Sequence, residues 1–194
     1  MYSKLPQLVF GFHGCDQAVF DEVVTRGGEL DFSRNDYDWL GSGIYFWENS
    51  VERAWEWARQ SSLVETPAVI GAIIDLGHCL NLTDREYTSI LASEYEIMKL
   101  EYEDAGIVMP RNVGRTEDKL LRKLDCAVIE HLHQFYDDTE QRFDSARGLF
   151  SEGNPIYPGS MIREKTHVQI CVRNPNRIKG YFVPRANPAQ YRPL

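Results

Sequence analysis

Three short segments hold residue types suited to ligand binding or catalysis. His13-Gly14 closes the apolar run Leu8-Val-Phe-Gly-Phe12, so a strand is expected to deliver an imidazole to a turn. Further along, Gly41-Ser-Gly43-Ile-Tyr45-Phe46 sets an aromatic ring behind two glycines on what reads as a very short second strand. Glu164 stands immediately before the β-prone segment Lys165-Thr-His-Val-Gln-Ile-Cys-Val172. A glycine lets main chain approach a ligand closely. An aromatic face stacks on a planar ring, and a carboxylate stabilises positive charge that develops in a transition state. Taken singly, each segment has a blander reading: a turn, a core tyrosine, a solvated carboxylate.

Other reactive side chains are poorly grouped. Cys15, Cys79, Cys126 and Cys171 are scattered and include no CxxC pair, which argues against a zinc site or a disulfide framework and for reduced thiols. His131 and His133 on one helix point to different sides, and His78-Cys79 lacks companions, so no metal is expected.

The elements that must position the three segments follow from periodicity and punctuation. Asp16 is expected to cap a short helix through Val24, ended by Gly27-Gly28, and Ser33 to Gly43 reads as a polar, aromatic loop. Asn49 or Ser50 can cap a helix to about Ser61, with Ala54, Trp55 and Ala58 on one face. After Pro67, the continuous apolar run from Ala68 to Asp75 predicts a central strand buried on both faces. Two long helical patterns follow, roughly Asp84 to Tyr102 and Glu117 to Phe135. Three β-prone stretches finish the chain, near Phe143 to Phe150, Thr166 to Val172 and Ile178 to Val183. Turns at Gly153-Asn-Pro155 and Asn174-Pro175 divide them, and Pro188 and Pro193 mark a loose tail. The order is α+β, without strict βαβ alternation, internal repeats or a dividing linker, so residues 1–194 read as one domain.

The three segments, in this order and at strand ends, resemble the nucleotide pocket of the ADP-ribosyltransferase superfamily. The poly(ADP-ribose) polymerase and diphtheria-toxin branch, with its His-Tyr-Glu set, is the most similar. The resemblance rests on some twenty residues. It implies a split mixed and antiparallel sheet with flanking helices, NAD+ as co-substrate and no metal. It also implies roles: His13 on the adenosine-ribose hydroxyls, Gly14 and Gly43 in the pocket, and Tyr45 against the nicotinamide. Glu164 would bond the nicotinamide-ribose 2′-hydroxyl as the glycosidic bond opens. After Tyr45, members of the family often carry Ser-Ala and then another Tyr, whereas this chain has Arg53-Ala-Trp-Glu-Trp57. The missing serine removes an expected bond to the nicotinamide amide. Trp57 is the candidate for the second aromatic wall, with core packing the alternative for Trp47 and Trp55.

The same resemblance gives Asn35, Tyr37, Asp38 and Trp39 as a flap over NAD+, with Arg34 near the phosphates. It also makes Gly153 to Gly159 an acceptor loop contacted through Tyr157 and Arg163. A packed loop and a rigid turn are the duller alternatives. The cholera-like branch expects Arg, Ser-Thr-Ser and a Glu or Gln two residues before its catalytic Glu. This chain has His13, Ile44-Tyr45-Phe46 and Ile162 there, which disfavours arginine as acceptor.

Charge bears on the acceptor. The chain carries −8 overall, which argues against broad attraction to nucleic acid. From Met161 onward, seven basic residues face the single acid Glu164, a net of +6 that leaves −14 on the preceding part. A basic surface beside an acidic body suits a phosphate-bearing ligand, RNA, DNA or an acidic protein, while solvated strand ends are the plain alternative. Arg111, Arg115, Lys119, Arg122 and Lys123 form a second basic cluster, read as a solvated face with RNA contact as the lesser option.

No apolar run is long enough for a secretory signal or a membrane span, so a cytoplasmic protein is expected. The implied activity is transfer of ADP-ribose from NAD+ to a macromolecular acceptor, nucleic acid or protein. Small members of the superfamily are often toxins of toxin-antitoxin or phage-defence systems, which implies an antitoxin partner. An NAD glycohydrolase, an RNA 2′-phosphotransferase and a silent NAD or ADP-ribose binding module are the competing readings.

Overall fold

The computed structural model describes residues 8–114 and 119–185. Arg115, Glu117, Pro188 and Pro193, named above, and Arg192, counted among the seven basic residues, lie outside the described residues. The strands are β1 (Leu8–Asp16), β2 (Ile44–Glu48), β3 (Pro67–Asp75), β4 (Cys79–Asn81), β5 (Ser145–Phe150), β6 (His167–Val172) and β7 (Ile178–Phe182). The helices are α1 (Gln17–Phe20), α2 (Val51–Gln60), α3 (Arg85–Asp104) and α4 (Lys123–Asp137).

Local chemistry explains the ends of these elements. Asp16 caps α1 by accepting from Ala18 N at 3.0 Å, and its other oxygen takes the amides of Glu65 and Thr66 at 2.8 and 2.9 Å. These backbone donors, Ala18 foremost, hold its carboxyl below the usual carboxylate range. One side chain thereby ties the end of β1 to the approach of β3. The helix continues through a wider π turn, Asp21–Thr25, and ends before Gly27, whose φ of 77° suits glycine.

All seven strands hydrogen-bond into one mixed sheet, ordered β4-β5-β6-β2-β1-β3-β7. Only the β4–β5 pair is parallel among the described strands. The expected split does not interrupt hydrogen bonding, because β2 and β6 pair from Ile44↔Val172 to Trp47↔Gln169. The arrangement is mixed α and β with four helices among the described residues, compatible with the α+β expectation. β3 is buried along most of its length, as its apolar run predicts, but lies one strand in from the edge.

Strand alternation sorts the core onto two faces. Ile44, Phe46, Ile70, Ile170 and Val172 pack on one face with Val23 and Leu30. Cys171, Ala146, Leu80 and Phe143 pack on the other against Ile129 and Leu132 of α4, joined by Tyr45. Beside them, α2 lays Ala54 over Trp47 and Val69. The small residues Ala54 and Ala58 let this helix approach the sheet closely.

Candidate functional site

The His-Gly segment and the Ile-Tyr-Phe segment meet on the central strands β1 and β2. His13 Nδ1 donates to the Tyr45 carbonyl at 2.8 Å. Burial lowers the pKa of His13, and the bond to Tyr45 opposes that shift. A neutral ring with hydrogen on Nδ1 follows, leaving Nε2 an acceptor. Gly14 faces α2 so closely that a Cβ there would lie 2.3 Å from the Ala54 carbonyl oxygen and 3.2 Å from the Trp57 ring. Trp57 also lies against Trp47, with ring centroids 6.2 Å apart.

Tyr45 is turned toward the opposite core. Its hydroxyl donates to the Gly41 carbonyl at 2.6 Å and accepts from Leu40 N at 2.9 Å. Burial raises its pKa well above the ordinary value, so it remains a neutral phenol. Gly43 has a packing reason of its own, since a Cβ there would meet Cys171 Sγ at 2.4 Å. The loop ahead of β2 is tied down rather than free. Asp38 accepts from Ser33 Oγ at 2.6 Å and Asn35 N at 3.0 Å, and Trp39 Nε1 donates to the Leu120 carbonyl at 2.9 Å. Arg34 is exposed and lies over the Phe32 ring at 5.3 Å.

Glu164 is bonded to Asn154 rather than to His13 or Tyr45. Register sets Tyr45 opposite Cys171, and His167 already lies about 13 Å from Cys171 along β6. Glu164 sits beyond His167 in an exposed turn, its carboxylate accepting from Asn154 N and Nδ2 at 3.3 and 3.4 Å. Around it, Pro155 bridges to Arg163, and Arg163 Nη1 donates to the Gly153 carbonyl at 3.0 Å. The tip projects outward, with Tyr157 59% and Met161 92% exposed.

The structure adds a cluster that sequence reasoning missed. Arg53 Nη2 donates to Glu152 Oε1 at 2.9 Å, and Arg53 also pairs with Glu56. The same Glu152 oxygen lies 3.5 Å from Nδ1 of buried His167, which donates to the Lys165 carbonyl at 2.6 Å. Burial lowers the His167 pKa, as do Arg53 and Arg122, while Lys165 and Glu152 oppose the shift. By strand alternation, His167 shares the sheet face of Tyr45 and Trp47, and its ring stacks on Trp39 at 6.2 Å and 26°. Arg53, which stands where a serine was expected, therefore has a charge partner 99 residues away. An arginine where the pattern expects a serine was the available signal, because a charge drawn toward the interior requires a partner.

The remaining candidates have structural roles. His131 bonds Glu94 at 2.6 Å and Glu101 at 2.9 Å. Burial depresses its pKa, but the two carboxylates more than offset this. His133 points to the other side, fully buried, and its pKa is pushed down to about 3 by burial and then by Arg173. His78 stacks on Phe143 at 4.5 Å. No group of three or more His, Cys, Asp or Glu residues able to hold a metal occurs among the described residues. No described helix is long and apolar enough to cross a membrane.

No family model matches the sequence. The chain is similar to uncharacterized protein MJ0359 of Methanocaldococcus jannaschii, at 25% identity over an alignment 192 positions long that covers 87% of this chain and 83% of that one.

Proposed function

We propose that the protein is an ADP-ribosyltransferase that cleaves NAD+ at the nicotinamide-ribose bond and passes ADP-ribose to a macromolecular acceptor. The observation that carries this reading is the crossing of two distant motifs. His13-Gly14 and Gly43-Ile-Tyr45-Phe46 become neighbouring strands joined by the His13–Tyr45 bond. The strand that follows Glu164 is the next one in the sheet. Three segments that resemble one pocket thus reach three adjacent strands.

In this reading, Gly14 offers main chain to the nicotinamide amide, Trp57 supplies an aromatic wall, and His13 Nε2 accepts from a ribose hydroxyl. Such contacts fix the angle of the scissile bond. Glu164 stabilises the oxocarbenium-like charge, which requires the 151–166 loop to carry it inward from Asn154. Toxin or phage-defence work, an antitoxin and a cytoplasmic setting belong to the same proposal and rest on the resemblance alone.

The position of Glu164 also favours a second reading, a binding module for NAD+ or ADP-ribose, since an exposed carboxylate held by Asn154 does no chemistry where it stands. Labelled NAD+ and cell lysate separate the two, with protein and nucleic acid fractionated before counting. The wild type should label one fraction, and Glu164→Gln should lose roughly 100-fold to 1,000-fold in rate with unchanged melting temperature. Full transfer by Glu164→Gln removes that residue from the mechanism. Free ADP-ribose alone indicates a glycohydrolase, and NAD+ binding without turnover indicates the module.

A further inference from the structure

A cavity of about 470 Å³ opens where the start of α4, the end of β5 and the 151–166 loop meet. Three cations line it, Lys119, Arg122 and Arg163, against one acid, Asp125. Asp125 is already engaged, accepting from Asn112 Nδ2 at 2.7 Å with Arg122 Nη1 at 3.9 Å. His13, Gly14, Tyr45, Trp57 and Glu164 do not line this space. It is distinct from the β1–β2 crossing.

We infer that this cavity binds phosphate groups. Arg122 is held in place before any ligand arrives, with its guanidinium carbon 4.0 Å from the Trp39 ring centroid and 4.9 Å from that of Phe150. Contact with two rings restrains the guanidinium, whose planar fork matches paired phosphate oxygens, and lowers the ordering cost of binding. Arg163 is steadied from the loop side by the Gly153 carbonyl. Ser151 also lines the cavity, its Oγ 3.2 Å from Thr166 Oγ1. The amides of Leu124 and Asp125 at the start of α4 are capped by Asn112 Oδ1, so the positive end of a 15-residue helix lies at the same wall. The volume exceeds what one phosphate fills and falls in the range of small-molecule sites. A diphosphate or two successive backbone phosphates fit the charge better than a single ion.

Two sources share this chemistry: the diphosphate of NAD+, which rests on the function proposed above, and the backbone of a single-stranded polynucleotide. The test uses sodium pyrophosphate, NAD+ and a labelled 12-nucleotide RNA. Each is titrated onto the wild type, Lys119→Gln and Arg163→Gln at low salt, with Arg122→Gln included where its melting temperature matches the wild type. The wild type should bind pyrophosphate, and each variant should weaken it about tenfold. Weakening shared by NAD+ but not RNA assigns the cofactor diphosphate. Weakening shared by RNA, with a salt slope reduced by about 0.7 per cation removed, assigns a nucleic-acid strand. The pyrophosphate arm needs no turnover, so failure of NAD+ cleavage leaves it standing. Absence of pyrophosphate binding, or equal binding by the wild type, Lys119→Gln and Arg163→Gln, overturns the inference.

Discussion

Between β1 and β2, His13 and Tyr45 are held by bonds of 2.6 to 2.9 Å, and Gly14 has no room for a methyl group. In the 151–166 loop, the Glu164 carboxylate accepts long bonds of 3.3 and 3.4 Å from Asn154, and Tyr157 and Met161 reach into solvent. The first region is built as core, with long-range packing over-determining each group. The second is a hairpin-like excursion whose tip contributes little to the interior. A pocket for an invariant small molecule gains from the first construction, and recognition of a large acceptor gains from the second.

Three substitutions probe this contrast, beginning with the largest expected effect. Gly14→Ala should cost about 3 kcal/mol in urea unfolding, because the added methyl meets a helix carbonyl that cannot turn aside. Wild-type stability in that variant would mean that α2 stands further off the sheet. Arg53→Ser, which restores the residue type expected from the resemblance, should cost about 2 kcal/mol by stranding Glu152. That figure is below the range for full burial, since the two side chains keep 13% and 15% exposure. The double variant Arg53→Ser/Glu152→Gln should recover part of the loss in a thermodynamic cycle, and simple additivity would dissolve the pair. Met161→Ser should shift stability by less than about 0.5 kcal/mol, while changing which lysate species are labelled. A large fall in melting temperature there would show the loop to be part of the core.

The sequence made local features legible and long-range ones opaque. β1, β2, α2, β3 and β6 follow their predicted segments within a few residues, because Asp16, Gly27 and Pro67 punctuate them locally. β4 was not visible, since three residues from Cys79 to Asn81 become a strand only by parallel pairing with β5, more than sixty residues later. β5 starts at Ser145 rather than at Phe143. The Asp144 carboxylate is drawn off to the His78 amide, Asn174 and Arg177, and Phe143 packs into the core. In the site, His13-Gly14 lies inside β1, which stays paired with β3 through Asp16, rather than at the turn expected after the apolar run, and His13 meets Tyr45 because β1 and β2 are neighbours; the Arg53–Glu152–His167 cluster joins three separate elements and leaves no local pattern. The position of Glu164 depends on how its loop folds back on Asn154, which spacing alone does not encode.

The bond from His13 to a main-chain oxygen spends the ring's only hydrogen before any guest arrives. What remains is a bare lone pair on Nε2, in a setting whose burial discourages a second proton. A ligand hydroxyl can fill that vacancy because it owns a hydrogen. An ether, ester or fully ionised phosphate oxygen in the same place would set lone pair against lone pair. In the proposed pocket, one backbone carbonyl would thereby make this histidine a discriminator of hydroxyl from its masked forms, by ownership of a hydrogen rather than by shape.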